Sequence, residues 1–203
     1  MVVKVSMSDE SGIIRRCLKG EVEAYGRLVD RYSARVINVA LMMVGDRHEA
    51  EDIAQDAFIR AFRGLAGFKG RARFSSWLHQ IALNLCRDHL KRRSRAGGAV
   101  PMAEETLEGS RSGDGEAAHD TIVAAELSET MRGEISRLPY LYREAFVLRH
   151  LQGMDYGEVA AITRVPADTV RVRAYRAREL LRERLAAAVD TYWREKSDKE
   201  RTR

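Results

Sequence analysis

Residues 153–185 read GMDYGEVAAITRVPADTVRVRAYRARELLRERL. Asp155 is followed three residues later by Glu158, a capping-box spacing that predicts the start of a short helix. We expect that helix to end near Thr163. Pro166 then stands where proline is preferred, at the first position of a new helix. A short helix, a tight turn and a longer helix form the helix-turn-helix pattern, which is typical of DNA binding.

The longer helix of this pair sorts its residues onto two faces. An apolar stripe that predicts a buried face consists of Val170, Ala174, Ala177 and Leu181. Four arginines fall elsewhere: Arg171, Arg173, Arg176 and Arg178. A helix fits the major groove and arginine suits a guanine edge, while other arginines would meet phosphates. The alternative is a solvated, salt-bridged surface helix, which Glu179 and Glu183 favour for the last turns.

Upstream of this pair the chain changes character twice. Apolar periodicity predicts helices over residues 121–137 and 139–151. Before them, RAGGAVPMAEETLEGSRSGDGEAAHD, residues 95–120, is rich in glycine, serine and acids, which predicts a flexible linker over 96–120. The sequence therefore predicts two all-α domains, residues 1–95 and 121–187, with a polar tail over 188–203.

The N-terminal part predicts three helices. Residues 21–44 repeat apolar side chains at helical spacing, and Gly45-Asp46 is expected to end that helix and cap the next, over residues 47–63. The glycine-punctuated LAGFKGRA, residues 65–72, predicts a loop. A third long helix is expected within RARFSSWLHQIALNLCRDHLKRR, residues 71–93.

Composition sets the setting in which the protein is expected to act. The 203 residues carry a formal net charge of +5, which suggests a polyanionic partner. Cys17 and Cys86 are far apart in sequence, which argues against a disulfide scaffold and fits a reducing compartment. No apolar run approaches the ~20 residues of a membrane helix, and the start lacks a signal peptide's apolar core. We therefore expect a cytoplasmic protein without membrane insertion.

Cations and aromatic rings are mixed around the start of the third helix. The set is Phe68, Lys69, Arg71, Arg73 and Phe74. Single-stranded nucleic acid is bound by this mixture, because cations follow phosphates and rings stack on bases. The cations at the helix end, Lys91, Arg92, Arg93 and Arg95, would suit duplex phosphates, whereas a macrodipole effect explains only one or two of them. Trp77 is interpreted as a core residue.

The second helix is acidic, with Glu49, Glu51, Asp52 and Asp56. Asp52 and Asp56 are one turn apart on one face, and DNA would repel such a stripe. Together with Gln55 and Arg60 it is better suited to docking a protein partner.

The residues give no sign of an active site. The five histidines lack metal-ligand spacing, and neither a glycine-rich phosphate loop nor a GxSxG motif is present. We expect no enzymatic activity, no catalytic residue, no metal and no cofactor. A nuclease would need a metal or acid-base cluster. A two-domain helix-turn-helix regulator that acts without polymerase is the alternative function.

Four segments in order resemble an extracytoplasmic-function (ECF) RNA polymerase sigma factor. They are AYGRLVDRYSARV, HEAEDIAQDAFIRAF, FKGRARFSSWLHQIALNLCRDHLKRR and LPYLYREAFVLRHLQGMDYGEVAAITRVPADTVRVRAYRAREL. The resemblance implies an all-α protein with a region 2 helical bundle and a region 4 helix-turn-helix. It also implies an alternative sigma factor that binds core RNA polymerase, at the β′ clamp helices and the β flap, and directs initiation at promoter DNA. An anti-sigma factor is a further expected partner.

The resemblance also assigns roles to residues. Docking on polymerase is implied for Asp52, Gln55, Asp56 and Arg60. Capture of the melted minus-10 strand is implied for Phe68, Lys69, Arg71, Arg73, Phe74, Asn84, Lys91 and Arg92. In minus-35 recognition, Arg171 and Arg176 are expected to read bases, and the backbone contacts fall to Tyr156, Thr169, Arg173 and Arg178. Gly157 and Val172 depart from the residues usual in the family, which bears on the promoter sequence that is read.

Overall fold

The computed structural model describes residues 7–70, 72–96 and 129–201, and every regular element in these ranges is a helix. This confirms the predicted fold class. The predicted linker lies outside the described residues except for its first position, and so does the predicted helical stretch 121–128. The chain divides into two compact units, Met1–Val100 with Ala160–Arg164, and Pro101–Val159 with Val165–Arg203.

Four helices build the first unit. They are α1 (Met7–Leu18), α2 (Val22–Val44), α3 (Arg47–Gly64) and α4 (Phe74–Arg95), with a 3₁₀ turn at Leu65–Gly67. Helix α2 packs against α1, α3 and α4, and α3 packs against α4. The sequence predicted α2, α3 and α4 to within three residues. It gave no prediction for α1, which buries Ile13 and Ile14 and whose Glu10 accepts a hydrogen bond from the Tyr32 hydroxyl.

The reversal between α2 and α3 has the predicted chemistry. Gly45 adopts a left-handed conformation (φ 85°), and its N–H donates to the Leu41 carbonyl at 2.9 Å. Asp46 then caps α3, because its carboxylate accepts the Glu49 N–H at 2.9 Å. This backbone hydrogen bond also holds the pKa of the Asp46 carboxyl below its ordinary value. Glycine and aspartate thus end one helix and begin the next without an intervening loop.

The core of the first unit lies along one side of α2. Leu28, Val36 and Met43 on that side are fully buried. Helix α3 presents alanines to the same interior, including Ala57 and Ala61, which are also fully buried. Because small side chains let helix axes approach closely, this alanine face allows α2, α3 and α4 to pack as one bundle.

The second unit is built around the predicted helix-turn-helix. Its elements are α5 (Glu129–Ser136), α6 (Tyr140–Phe146), a π-helical turn (Val147–Leu151) and α8 (Ala167–Arg201), together with the part of α7 (Tyr156–Thr163) up to Val159. Helix α8 packs against α5 and α6. The predicted inward stripe is confirmed, since all four of its residues are buried: Val170, Ala174, Ala177 and Leu181. Helix α8 continues to Arg201, so most of the predicted polar tail belongs to it.

The ends of α7 and the start of α8 follow the predicted signals with one shift. Asp155 accepts the Glu158 N–H at 2.8 Å, and Glu158 accepts the Asp155 N–H at 3.2 Å, which completes the capping box. Helix α7 ends at Thr163, and Arg164 beyond it is left-handed (φ 59°). The placement of Pro166 was wrong by one residue. Helix α8 begins at Ala167. The Pro166 carbonyl accepts a hydrogen bond from the Val170 N–H at 3.1 Å, so Pro166 lies just before the first helical residue.

The first unit should depend on the buried side of α2. Leu28→Ala removes a fully buried side chain and is expected to lower the free energy of unfolding by about 2–5 kcal/mol. Leu18→Ala is the matched control, because Leu18 is 51% exposed and its truncation should stay within about 0.5 kcal/mol. Urea denaturation of both variants measures the difference, and equal losses would contradict this description of the core.

Candidate nucleic-acid and protein interfaces

The four acids of α3 divide into two pairs. Glu51 pairs with Arg47 at 2.8 Å, and Glu49 lies 3.0 Å from His89 and 3.7 Å from Arg93 of α4. These two carboxylates are therefore used within the unit, where they join helical turns or tie α3 to α4.

Asp52 and Asp56 form the other pair. Both are exposed, and neither has an ion-pair partner among the described residues. Gln55 and Arg60, which the resemblance also assigns to docking, are exposed on the same helix. All four predicted docking residues thus lie on the surface of α3, where a partner could reach them.

An open apolar groove runs between α2 and α3, with a volume of about 680 Å³. Val22, Ile59 and Phe62 line it and are each exposed, which is unusual for large apolar side chains. Gln55 also lines the groove. The polar face of α3 and this apolar groove are therefore continuous. The sequence pattern did not predict the groove, because the helical spacing of Phe62 is typical of a core residue.

Aromatic rings cluster where the loop after α3 meets α4. Phe68 lies 5.0 Å from Trp77 and 6.0 Å from Phe74, measured between ring centroids. Gly64 permits this packing, since a Cβ there would stand 3.3 Å from the Trp77 ring. Phe68 and Trp77 keep part of their surface exposed, so the cluster has an open side.

The structure corrects the assignment of Phe74 to DNA binding. Its side chain is only 1% exposed and packs against Tyr32, Phe68 and Trp77. The ring is therefore a core group beneath the loop and has no face to offer to a base. The sequence pattern of an aromatic residue beside cations is the same whether the ring is buried or exposed. Here the ring is buried because it packs against α2.

Two cations of the loop lie on the surface. Lys69 and Arg73 are exposed on either side of Gly70, which turns the chain with φ 66°. A left-handed residue at this point favours glycine, so the loop geometry depends on it. Arg71, also predicted to contact DNA, lies outside the described residues.

Helix α4 extends this surface along one face. Trp77, Asn84 and Lys91 are seven residues apart, which places them on one stripe two turns apart, with a rise of about 10 Å at each step. Asn84 and Lys91 are exposed, as is Arg92 beside them. Asn84 has one weak internal contact, accepting from Arg87 at 3.5 Å. A partly exposed ring, an amide and a cation therefore follow one another along the helix.

Of the four α8 arginines that were predicted to contact DNA, three are exposed: Arg171, Arg176 and Arg178. Arg171 pairs with Asp168 at 2.7 Å, whereas Arg176 has no ion-pair partner in the part of the chain described. Thr169, assigned to backbone contact, is half-buried in the first turn.

The structure also corrects the assignment of Arg173. Its side chain is 6% exposed, which leaves little surface for a phosphate. The physical reason is its register, because Arg173 lies three residues after Val170 and four before Ala177, on the buried stripe. The spacing itself could have revealed this.

Two residues that sequence reasoning did not assign to DNA binding stand beside the arginines. Val172 and Tyr175 are exposed large side chains, and Arg176 is four residues after Val172. They therefore share a face with the exposed cation. Apolar groups on such a face can contact the methyl group of thymine.

Neither a metal centre nor a membrane span is found in the described ranges. Their side chains include no group of three or more potential ligands that could hold a metal ion. None of their helices combines the length and apolar content needed to cross a membrane.

Comparisons with known proteins agree with this arrangement. The family model for Sigma-70 region 2 matches residues 28–96, and the model for Sigma-70 region 4 matches residues 128–181. The chain is 34% identical over 179 residues to the ECF RNA polymerase sigma factor SigW of Bacillus subtilis (strain 168), which covers 85% of this chain and 94% of SigW. It is 31% identical over 184 residues to the RNA polymerase sigma-H factor of Pseudomonas aeruginosa, with 87% and 94% covered.

The chain therefore belongs to the ECF family of RNA polymerase sigma factors, and it is an alternative sigma factor. Its fold is also similar to that of the sigma factor RpoE in a co-crystal structure with the anti-sigma factor NepR from Bartonella quintana. That match has a TM-score of 0.62 and 21% identity, and it covers 80% of this chain and 96% of the other.

Arg176 and Arg182 allow a matched test of the α8 surface. Arg182 is exposed but pairs with Glu179 at 2.7 Å. With the chain bound to core polymerase, Arg176→Ala is expected to cost about 1–3 kcal/mol of discrimination between matched and substituted minus-35 duplexes. Arg182→Ala should change it little, because exposed ion pairs contribute about 1 kcal/mol or less. Fluorescence anisotropy on a base-substituted duplex series measures both, and unchanged base preference in Arg176→Ala would contradict the assignment.

Proposed function

We propose that this sigma factor docks on core RNA polymerase through α3, holds the melted minus-10 strand with the α4 surface and reads the minus-35 duplex with α8. The observation that carries the proposal is the separation of surface charge. Asp52 and Asp56 are exposed on α3 without ion-pair partners in the described ranges, while Arg176 is exposed on the second helix of a helix-turn-helix. Acids would be repelled by DNA and suit a basic protein surface, whereas the arginine suits a base edge.

Docking would use both parts of the α3 surface. Asp52, Gln55, Asp56 and Arg60 supply charge and hydrogen bonds, which give specificity and a fast encounter. Ile59 and Phe62 in the adjoining groove supply apolar area, whose burial favours association. The resemblance to the family names the β′ clamp helices of polymerase as the partner of this surface. The β flap would hold the second unit.

Promoter opening would follow from the α4 surface. Flipping a base out of the duplex costs a few kcal/mol, and a site that receives the right base repays this cost. Phe68 offers a partly exposed ring, Asn84 an amide that can contact a base edge, and Lys91 a cation for phosphates. Recognition of the minus-10 strand would thus be coupled to melting.

The two recognition surfaces would act together because they belong to one chain. Once one unit is bound, a tether raises the effective concentration of the other. The predicted linker would serve this purpose, and polymerase would fix the spacing at which both promoter elements are read. The protein itself would carry out no bond chemistry and would act in the cytoplasm with the polymerase. We also propose that an anti-sigma factor binds and controls it; the sigma factor RpoE, which has a similar fold, is found in complex with the anti-sigma factor NepR.

Charge reversal on α3 tests the docking step. Asp52→Arg places a cation where a basic partner surface is expected, and it should weaken binding to core polymerase by about 2–5 kcal/mol. Transcription from promoter templates should fall with it.

Asp30→Arg is the control, because Asp30 is equally exposed but lies on α2. It should bind polymerase and start transcription as the wild type does. Anisotropy titration with core polymerase, together with a thermal unfolding check, separates lost docking from lost folding. If Asp52→Arg binds core polymerase as tightly as Asp30→Arg does, the assignment of docking to the α3 surface is wrong. Specific duplex binding by the chain without polymerase would instead favour the alternative function, a helix-turn-helix regulator that acts without polymerase.

A further inference from the structure

Tyr156 lies where three segments of the second unit meet. Arg149 of the π-helical turn has its guanidinium carbon 5.0 Å from the centre of the Tyr156 ring. Arg171 of α8 has its guanidinium carbon 5.2 Å from the same ring centre. One half-buried ring at the start of α7 therefore has two cations over it.

The position of this ring is set by the fold. Tyr156 stands between Asp155 and Glu158, whose side chains and backbone N–H groups exchange hydrogen bonds in the capping box. The backbone on both sides of Tyr156 is thereby fixed in the free protein. The ring can act as a fixed platform because its placement does not wait for a ligand.

The two arginines need such a platform. The negative face of an aromatic ring attracts a guanidinium cation. Arg171 has a second anchor in Asp168 at 2.7 Å, but that carboxylate is 87% exposed and the pair is correspondingly weak. Arg149 donates to the Met154 carbonyl at 3.4 Å, which is a long hydrogen bond. The ring is the contact that both cations share.

We infer that Tyr156 is a positioning residue whose ring holds Arg149 and Arg171 in a set arrangement before DNA binds. This inference rests on the proposed reading of minus-35 DNA by Arg171. Ordering a long side chain opposes binding, and an arginine that is already held loses less freedom when it meets its base. The ring would thus sharpen base discrimination, separately from any contact of the hydroxyl with the DNA backbone.

Two substitutions separate the ring from the hydroxyl. Tyr156→Phe keeps the ring and should keep the base preference of the wild type, even if overall affinity falls. Tyr156→Leu keeps apolar bulk but loses the ring face. With the chain bound to core polymerase, it should reduce discrimination between matched and substituted minus-35 duplexes by about two- to fivefold. Equal base preference in the two variants would overturn the inference.

A double-mutant cycle identifies the arginine through which the ring acts. Tyr156→Leu combined with Arg171→Ala should lose no more discrimination than Arg171→Ala alone, because the ring would act through Arg171. Tyr156→Leu combined with Arg176→Ala should give additive losses, since no described contact joins Tyr156 to Arg176. Additive losses with Arg171→Ala would overturn the positioning role.

NMR of the free full-length chain separates failure of this inference from failure of the proposed function. Side-chain protons of Arg149 and Arg171 should show ring-current shifts in the wild type and in Tyr156→Phe, and lose them in Tyr156→Leu. Absent shifts in the wild type would overturn the inference whatever the DNA results. If the free chain shows the shifts but the wild-type holoenzyme shows no minus-35 preference, the result counts against the proposed function and against the role of the ring in base discrimination.

Discussion

The first unit depends on burial of one side of α2, because α1, α3 and α4 all pack against that helix. Leu28, Val36 and Met43 hold the bundle together and leave the outer surfaces of α3 and α4 free. The same helices can then carry opposite chemistry outward, with Asp52 and Asp56 on α3 and Lys91 on α4. A single core thus separates the acidic face of α3, which we propose docks polymerase, from the basic face of α4, which we propose contacts nucleic acid.

In the second unit, one long helix likewise separates a buried face from an exposed face. Val170, Ala174 and Ala177 anchor α8 against its neighbours, which leaves Arg176 and its apolar neighbours on the opposite side. The capping box at Asp155 and the left-handed Arg164 set the start and end of α7. The orientation of the proposed DNA-reading surface of α8 therefore follows from backbone geometry, and so does the position of the Tyr156 ring.

Much of this could be predicted from sequence where a local rule applies. Helical spacing identified the buried stripe of α8, and Gly45-Asp46 identified the reversal between α2 and α3. Local rules failed where the answer depended on neighbours distant in sequence. Phe74 resembles a DNA-stacking ring, but it is buried and packs against Tyr32, which lies 42 residues earlier in the chain. Phe62 resembles a core residue, yet it lies exposed beside an open groove.

The proposed function requires that the two promoter elements be recognised together, at a separation set by polymerase. In vitro transcription with core polymerase tests this requirement. The templates differ in the spacer between the two promoter elements, which is lengthened base pair by base pair. We expect a narrow optimum of spacer length, with starts lost when about half a helical turn is inserted, because the two elements then face different sides of the duplex. Equal initiation at all spacings would contradict it.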